Sequence, residues 1–145
     1  MLPTRFSCGA VVYRQKSDCS QILLVKQFAS DNAWGIPKGH MESGETYTET
    51  AIRETKEEAG IDIQIITQLP HVVVIRKNYK KIVVPFLAIQ TCDREPASNH
   101  EASEVSDVQW FDILKMPSIY YYQRPILDAA LIMLEMNSNG RRQIK

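Results

Sequence analysis

Short stretches rich in aliphatic and β-branched residues recur along this chain between polar turns, and this pattern predicts β-strands. The predicted strands are residues 6–14, 21–25, 61–67, 71–76, 82–89 and 108–111. A polar turn at residues 17–18 separates the first two strands. Residues 77–80 form a turn between the fourth and fifth strands, which we therefore expect to pair.

Two other segments have the spacing of amphipathic helices. The first covers residues 46–59, because Thr46 and Glu49 form a capping-box pattern at its start and Gly60 follows its end. The second covers residues 123–136. Its apolar positions recur at helical spacing and are Ile126, Leu127, Ala130, Leu131 and Leu134.

These elements predict a mixed β-sheet between helices, which is an α/β fold of the α/β/α sandwich type. We expect one domain over residues 1–145, with a polar tail at residues 137–145 that is frayed. The hydrophobic content of 44% and the charged content of 23% are those of a soluble globular protein. The formal net charge is zero, so the composition does not favour long-range attraction to nucleic acid or to a membrane surface.

The cysteines point to a reducing compartment. Cys8, Cys19 and Cys92 match neither a disulfide framework nor a zinc-binding pattern. Arg5 interrupts the apolar residues at the start of the chain, which therefore does not resemble a signal peptide. No apolar run reaches the length of a membrane span. We expect a cytoplasmic protein with no membrane partner.

The first predicted helix carries three glutamates on one arc, Glu54, Glu57 and Glu58. At about 100° per residue, Glu58 lies roughly 40° to one side of Glu54 and Glu57 roughly 60° to the other. Like charges at this spacing weaken a helix, so a compensating cation is expected. Mg²⁺ suits such a cluster because it prefers carboxylate oxygens, and Mn²⁺ accepts the same donors. Taken alone, the helix could equally be an acidic surface helix with pairs such as Glu49 with Arg53.

The segment around this helix fits the Nudix box, G-x5-E-x7-R-E-U-x-E-E-x-G-U, in which U is a bulky aliphatic residue. The matching residues are Gly39, Glu45, Arg53, Glu54, Glu57, Glu58, Gly60 and Ile61. At background residue frequencies, the polar and glycine positions would match by chance with odds on the order of 10⁻⁸ per window. The chain therefore resembles the Nudix hydrolase family. Thr55 departs from the box, and because it lies on the opposite arc we expect it to affect packing rather than chemistry.

The resemblance implies the Nudix fold over nearly the whole chain and a metal-dependent pyrophosphohydrolase activity. Carboxylates around Mg²⁺ suit the attack of water on a phosphoanhydride, since that reaction needs mainly positioning and charge compensation. Glu54, Glu57 and Glu58 are the expected metal ligands. The main-chain carbonyl of Gly39 joins them by resemblance to the family.

Three other residues of the box have expected supporting roles. By resemblance, Arg53 orients the carboxylate of Glu54 rather than binding substrate. Glu45 lies at the junction of loop and helix, where it either binds Arg53 or steadies the loop. Gly60 is expected to end the helix.

The general base has three candidates. Some members of the family use the glutamate of the Arg-Glu pair, here Glu54, and others use a glutamate on a later loop. The later candidates are Glu101 and Glu104, and Glu104 is preferred because similar enzymes have a glutamate six residues before a tryptophan, here Trp110. Glu104 is then also a candidate metal ligand. The alternative for either loop residue is a solvated surface glutamate.

The residues at and just before the start of the box indicate a substrate class. Residues 34–40 resemble the W-x-x-P-K-G-H run of diadenosine tetraphosphate hydrolases, which also carry a tyrosine near the position of Tyr79. Tyr79 is therefore a candidate platform for a stacked base, the alternative being an exposed hairpin aromatic. Lys38 offers a positive charge to phosphate. His40 and His100 could also contact phosphate, although each could equally be a surface histidine.

Hydrolysis of a bis(5′-nucleosyl) tetraphosphate is the function that these residues favour. The expected partner is thus a small nucleotide, with nucleic acid limited to a 5′ end, and the protein is expected to be a monomer or a homodimer. Signatures of ADP-ribose, NADH and coenzyme A pyrophosphatases are missing. Alternatives are a pyrophosphohydrolase that removes oxidised (d)NTPs, an RNA 5′-pyrophosphohydrolase, and a non-catalytic nucleotide-sensing module. The tyrosines at residues 120–122 are expected to pack in the core before the last helix, the alternative being that they reach the same pocket as Tyr79.

Overall fold

A computed structural model of the chain describes residues 1–28, 32–98 and 104–144, with side chains described as far as residue 136. The strands are β1 Thr4–Lys16, β2 Cys19–Gln27, β3 Trp34–Gly35, β4 Lys38–His40, β5 Ile63–Gln68, β6 Val72–Ile75, β7 Lys80–Gln90 and β8 Val105–Asp112. The helices are α1 Tyr47–Ala59 and α2 Arg124–Ile144, and a 3-10 turn at Tyr121–Gln123 leads into α2.

The strands of the described residues form one mixed sheet, whose main order is β3-β2-β1-β7-β5. β1 and β7 run parallel in a register that extends from Thr4↔Lys80 to Tyr13↔Ile89. The other strand pairs are antiparallel. β4 adds to β1, β8 adds to β2, and β6 pairs with β7 across the predicted turn. The prediction of a mixed sheet is therefore confirmed.

The sheet buries apolar side chains on both faces, with one helix over each. On β2, Ile22 and Leu24 pack in the core that α2 completes with Leu127, whereas Leu23 packs on the opposite side with Ala59 at the end of α1. All five are almost fully buried. Burying one leucine or isoleucine contributes about 1.5–3 kcal/mol, so both faces stabilise the sheet. This arrangement confirms the α/β/α sandwich.

The short strands β3 and β4 were not predicted, because Pro37 argues against regular structure in this segment. The structure confines Pro37 to the gap between the two strands, and β4 pairs with β1 from Ser7↔His40 to Gly9↔Lys38. A side chain at Gly9 would collide with the carbonyl of Pro37 and the side chain of Lys38. Glycine at this position therefore lets β4 lie against β1 and carry its residues into the site described below.

The caps of α1 agree with the sequence-based prediction. Thr46 Oγ1 accepts a hydrogen bond from the Glu49 backbone N–H (3.1 Å), and Glu49 Oε1 accepts one from the Thr46 N–H (3.0 Å). At the other end, Gly60 has a φ of 73° and its N–H donates to the Lys56 carbonyl (2.9 Å). The capping box and the glycine cap together fix the ends of the helix that carries the acidic residues.

α2 extends beyond the predicted residues 123–136. Its backbone is helical from Arg124 to Ile144 and so includes most of the polar tail. Fraying of the tail stays a prediction. Within the part of the chain that the structure describes, neither helix combines the length and the apolar run that crossing a bilayer needs.

Replacing Thr46 with alanine is expected to lower the free energy of unfolding by about 1 kcal/mol, because the backbone N–H of Glu49 loses its capping acceptor. Thr46→Ser keeps the hydroxyl and should lose much less. Urea denaturation of both variants measures the difference. Equal stability of Thr46→Ala and wild type would show that the cap contributes nothing.

Candidate active site

A cavity of about 550 Å³ lies where β4, α1 and the 3-10 turn meet. Its acidic side chains are Glu42, Glu54, Glu57, Glu58 and Glu104. Its basic side chains are Lys38, His40, Arg76 and Lys81. Ser7, Gln27, Gly39, Met41, Tyr120 and Tyr122 complete the lining. We refer to Glu54, Glu57 and Glu58 as the carboxylate cluster, and to Lys38, Arg76 and Lys81 as the basic cluster.

Arg53 holds two members of the carboxylate cluster in place. Its Nη1 donates hydrogen bonds to Glu54 Oε1 (2.9 Å) and Glu57 Oε1 (3.1 Å). Its Nη2 donates to the backbone carbonyl of His40 (3.0 Å), which ties the helix to β4. One guanidinium therefore determines where two carboxylates point and how α1 sits against the strand that carries Gly39.

Glu45 in turn fixes the position of Arg53. Arg53 Nε donates to Glu45 Oε2 (2.6 Å), and Arg53 Nη2 donates to Glu45 Oε1 (3.0 Å). Glu45 Oε1 also accepts from the Glu42 N–H (2.8 Å) and the Thr50 hydroxyl (2.9 Å). These bonds, above all those from Arg53, lower the pKa of Glu45 to about 2. Glu45 is thus fully engaged in binding Arg53 and the loop.

Glu58 is a buried carboxylate, only 9% exposed. Its Oε1 accepts a hydrogen bond from the backbone N–H of Lys38 (3.0 Å). Burial raises the pKa of Glu58 to about 8, with the negative charges of Glu54 and Glu57 acting in the same direction and that hydrogen bond opposing them. Burial and the charge of Glu57 also raise the pKa of Glu54. The single positive charge of Arg53 therefore does not balance the negative charge of the carboxylate cluster. A bound cation would reduce the remaining repulsion among the carboxylates.

Gly39 lies directly against this cluster. A Cβ at position 39 would overlap the carboxylate of Glu54, so a larger residue there would displace that carboxylate from its present position. The donor set of carboxylates with a neighbouring backbone carbonyl fits a hard cation such as Mg²⁺. In the described residues, no three acidic, histidine or cysteine side chains are already gathered at metal-binding distance around one point. Glu57 is the most exposed of the three glutamates.

The basic cluster surrounds the ring of Tyr122. Lys81 Nζ lies 5.2 Å, Lys38 Nζ 5.6 Å and Arg76 Cζ 5.8 Å from the ring centroid. Lys81 is only 9% exposed, and burial, followed by the charges of Lys38 and Arg76, lowers its pKa to about 7. Three cations this close together, one of them buried, form a site that favours a multiply charged anion.

Gln123 positions Tyr122 from beneath. This buried side chain donates from Nε2 to the Tyr122 hydroxyl (3.1 Å) and accepts at Oε1 from the Ile36 N–H (2.8 Å). A side chain at Gly35 would collide with the Gln123 amide. The amide therefore joins the segment before β4 to the start of α2.

Most of the residues predicted from the sequence lie together in this cavity. The predicted residues that line it are Lys38, Gly39, His40, Glu54, Glu57, Glu58 and Glu104. Burial and the charges of Lys81, Lys38 and Arg5 lower the pKa of His40, which favours its neutral form. Glu101 and His100 fall outside the described residues.

Tyr79 does not line the cavity. It lies in the turn before β7, where the guanidinium carbon of Arg5 stacks 4.3 Å from its ring centroid. Tyr120 and Tyr122 line the cavity instead. Tyr122 therefore packs against the core, as expected, and also lines the cavity, whereas the expectation of core packing is wrong for Tyr121, which is 77% exposed. The cause is the 3-10 turn, whose tight winding directs neighbouring rings to different sides.

Sequence reasoning missed Lys81 and Arg76. Lys81 lies two residues before Val83, and the side chains of alternate strand residues share a face. A lysine on the buried face of a predicted strand was therefore the sequence signal that could have identified Lys81 as a site residue. No comparable signal identified Arg76, which follows the last residue of β6.

A family model described as the NUDIX domain matches residues 3–130 of this chain. The asymmetrical bis(5′-nucleosyl)-tetraphosphatase of Sus scrofa is 37% identical over 67 residues, which cover 42% of this chain and 46% of that protein. The chain thus spans about half the length of the curated tetraphosphatases that it matches.

Two solved structures have the same fold. A C. elegans Ap4A hydrolase, solved as a binary complex, aligns with a TM-score of 0.65 and 28% identity over 74% of this chain and 80% of its own. A MutT Nudix hydrolase from Burkholderia pseudomallei aligns with a TM-score of 0.72 and 26% identity over 87% of this chain and 97% of its own. The predicted fold is therefore confirmed.

The metal-free protein is expected to lose stability as the pH rises, because Glu58 holds a proton in the folded state. Its folded pKa of about 8 exceeds the unfolded value of about 4.3, so its contribution is complete below about pH 4 and is lost as the pH approaches 8. Glu58→Gln keeps an acceptor for the Lys38 N–H without the charge. Relative to wild type, its free energy of unfolding should therefore improve between about pH 5 and 8, by on the order of a few kcal/mol.

Urea denaturation in EDTA at both pH values measures this difference. Glu135→Gln, on the exposed part of α2, is the matched control and should follow wild type. If Glu58→Gln also followed wild type at every pH, burial would not perturb Glu58.

Proposed function

Because this chain belongs to the Nudix domain family, we propose that it is a metal-dependent hydrolase of phosphoanhydride bonds, with a bis(5′-nucleosyl) tetraphosphate as its preferred substrate. The observation that carries the proposal is that the carboxylate cluster and the basic cluster line one cavity. A polyphosphate needs both, since its charge must be neutralised and its phosphorus atoms held in position.

The carboxylate cluster would hold Mg²⁺ or Mn²⁺, together with the carbonyl of Gly39 and the side chain of Glu104. When bound, the metal neutralises the pyrophosphate charge and lowers the pKa of a bound water. Arg53 keeps the glutamates directed toward this position, since it bonds two of them.

The basic cluster would bind the phosphates that the metal does not reach. In the part of the chain that the structure describes, no salt bridge joins Lys38, Arg76 or Lys81 to a carboxylate. Phosphate oxygens would supply that missing negative charge. A bound anion would also raise the pKa of Lys81 toward its usual value, because it stabilises the charged form.

Two described carboxylates can take a proton from water. Glu54 has a raised pKa and a hydrogen bond from Arg53. Glu104 is exposed at the cavity, with its backbone carbonyl held by the Phe28 N–H (2.9 Å). We propose Glu104 as the general base, with Glu54 and Glu101 as the alternatives, because Glu104 has no competing ion pair in the described residues.

Tyr120 and Tyr122 offer a platform for one nucleobase. Their ring centroids lie 6.1 Å apart with an interplanar angle of 34°, and both line the cavity. Stacking of a base on an aromatic ring contributes about 1–3 kcal/mol. This assigns to these tyrosines the role predicted for Tyr79.

The likeness to a MutT hydrolase supports a second candidate, a (d)NTP pyrophosphohydrolase, which would use the same two clusters with a shorter phosphate chain. An RNA 5′-pyrophosphohydrolase would also use them. A non-catalytic sensor is disfavoured, because every carboxylate of the box is present. We further propose a cytoplasmic protein that acts on small nucleotides as a monomer or homodimer.

Glu57→Gln is expected to reduce kcat for diadenosine tetraphosphate in Mg²⁺ by on the order of 100-fold, because the variant loses one charge that would hold the metal. Glu135→Gln is the control and should keep wild-type turnover. Product analysis in ¹⁸O water, over a panel with (d)NTPs and 5′-triphosphorylated RNA, reports the substrate and the phosphorus attacked. Equal turnover of Glu57→Gln and wild type, or no turnover of any compound, would contradict the proposal.

Lys81→Met is expected to lower kcat/KM for the preferred nucleotide by roughly tenfold to a hundredfold, because a buried charge no longer meets the phosphates. Lys77→Met removes the same charge from the exposed turn before β7 and should have little effect. Steady-state kinetics of the two variants make the comparison. Equal losses would show that general positive charge matters, and not the position of Lys81.

A further inference from the structure

A second groove opens beside the cavity. It has a volume of about 470 Å³ and is lined by Thr4, Arg5, Phe6, His40 and Met41. His40 and Met41 also line the cavity that contains the two charged clusters. The groove and the cavity therefore adjoin at these two residues.

The groove combines apolar side chains, among them the ring of Phe6, with the basic side chains of Arg5 and His40. Phe6 stacks with Tyr47 at a centroid distance of 5.8 Å and an interplanar angle of 31°, and Tyr47 is 40% exposed although it is a large apolar side chain. Arg5 presents its guanidinium on the ring of Tyr79. None of the residues that line the groove is acidic. Flat rings and a stacked guanidinium are the surfaces on which a nucleobase stacks.

We propose that this groove binds the second nucleobase of a dinucleoside polyphosphate, the one at the far end of the phosphate chain from Tyr120 and Tyr122. The inference rests on the proposed function, since it needs a substrate with two bases. Two observations favour this occupant: the groove adjoins the phosphate-binding cavity, and Phe6 offers it a flat apolar ring. His40 lies at the junction, since it lines both spaces.

The groove would therefore determine substrate preference. A nucleotide with one base leaves it empty, whereas a dinucleotide gains a stack on Phe6, whose ring is supported by the ring of Tyr47. Tyr47 is the first residue of α1, so its ring can be changed while the cap at Thr46 and the carboxylates further along the helix remain.

The test compares kcat/KM for diadenosine tetraphosphate with kcat/KM for adenosine 5′-tetraphosphate, which has the same phosphate chain and one base. In Tyr47→Ala and Phe6→Ala, the ratio of the two values should fall by about tenfold, the effect of losing one base stack. Tyr47→Phe keeps the ring and should keep the ratio. Leu114→Ala removes an exposed apolar side chain elsewhere and is the control.

Each outcome has one meaning. A ratio unchanged in Tyr47→Ala and Phe6→Ala overturns the groove assignment and leaves the proposed function standing. A loss confined to 5′-triphosphorylated RNA assigns the groove to a following nucleotide and also overturns the inference. A wild-type protein that hydrolyses nucleotides but not diadenosine tetraphosphate overturns the substrate part of the proposed function and this inference together.

A binding measurement tests the inference independently of turnover. In calorimetry without metal, a methylene-bridged diadenosine tetraphosphate should bind Tyr47→Ala more weakly than Tyr47→Phe.

Discussion

The guanidinium of Arg53 is the contact on which the candidate site depends. Its three nitrogens bond Glu45, Glu54, Glu57 and the backbone of β4, so one planar group joins the loop, the helix and the strand. A planar fork with fixed donors can hold several carboxylates in defined directions, which a lysine could not do. The arrangement keeps acidic groups close together, and in the described residues Arg53 is the cation that forms their salt bridges.

Charge is separated rather than paired across the rest of the cavity. Glu58 and Lys81 are both about nine-tenths buried. Burial raises the pKa of Glu58 and lowers the pKa of Lys81, so it favours the neutral form of each group. Buried charges that faced each other would form salt bridges and relieve this cost. Here both groups face a shared space. A ligand that carries positive charge at one end and negative charge at the other would offset the cost of burying both. A metal-bound polyphosphate has that distribution.

The carboxylate side of the site could be predicted from local features of the sequence, whereas the basic cluster could not. The carboxylates, Arg53 and the caps lie within one helix, where spacing alone fixes which side chains meet. The contact between Gly39 and Glu54 follows from the same motif, because β4 comes directly before the helix. In contrast, Lys81, Arg76 and Tyr122 come from β7, the end of β6 and the 3-10 turn, and only the folded sheet brings them to one place. Tyr79 was placed by its distance along the chain, which could not reveal that Arg5 covers its ring.

The amide of Gln123 has a consequence for how this site can vary. It bonds the Ile36 backbone on one side and the Tyr122 hydroxyl on the other, and a side chain at Gly35 would displace it. The Gln123 amide therefore couples the position of the segment before β4 to the position of the Tyr122 ring. A substitution that moves one of them should also move the other. Relatives with a different side chain in place of Tyr122 should therefore also differ in the conformation of the segment before β4.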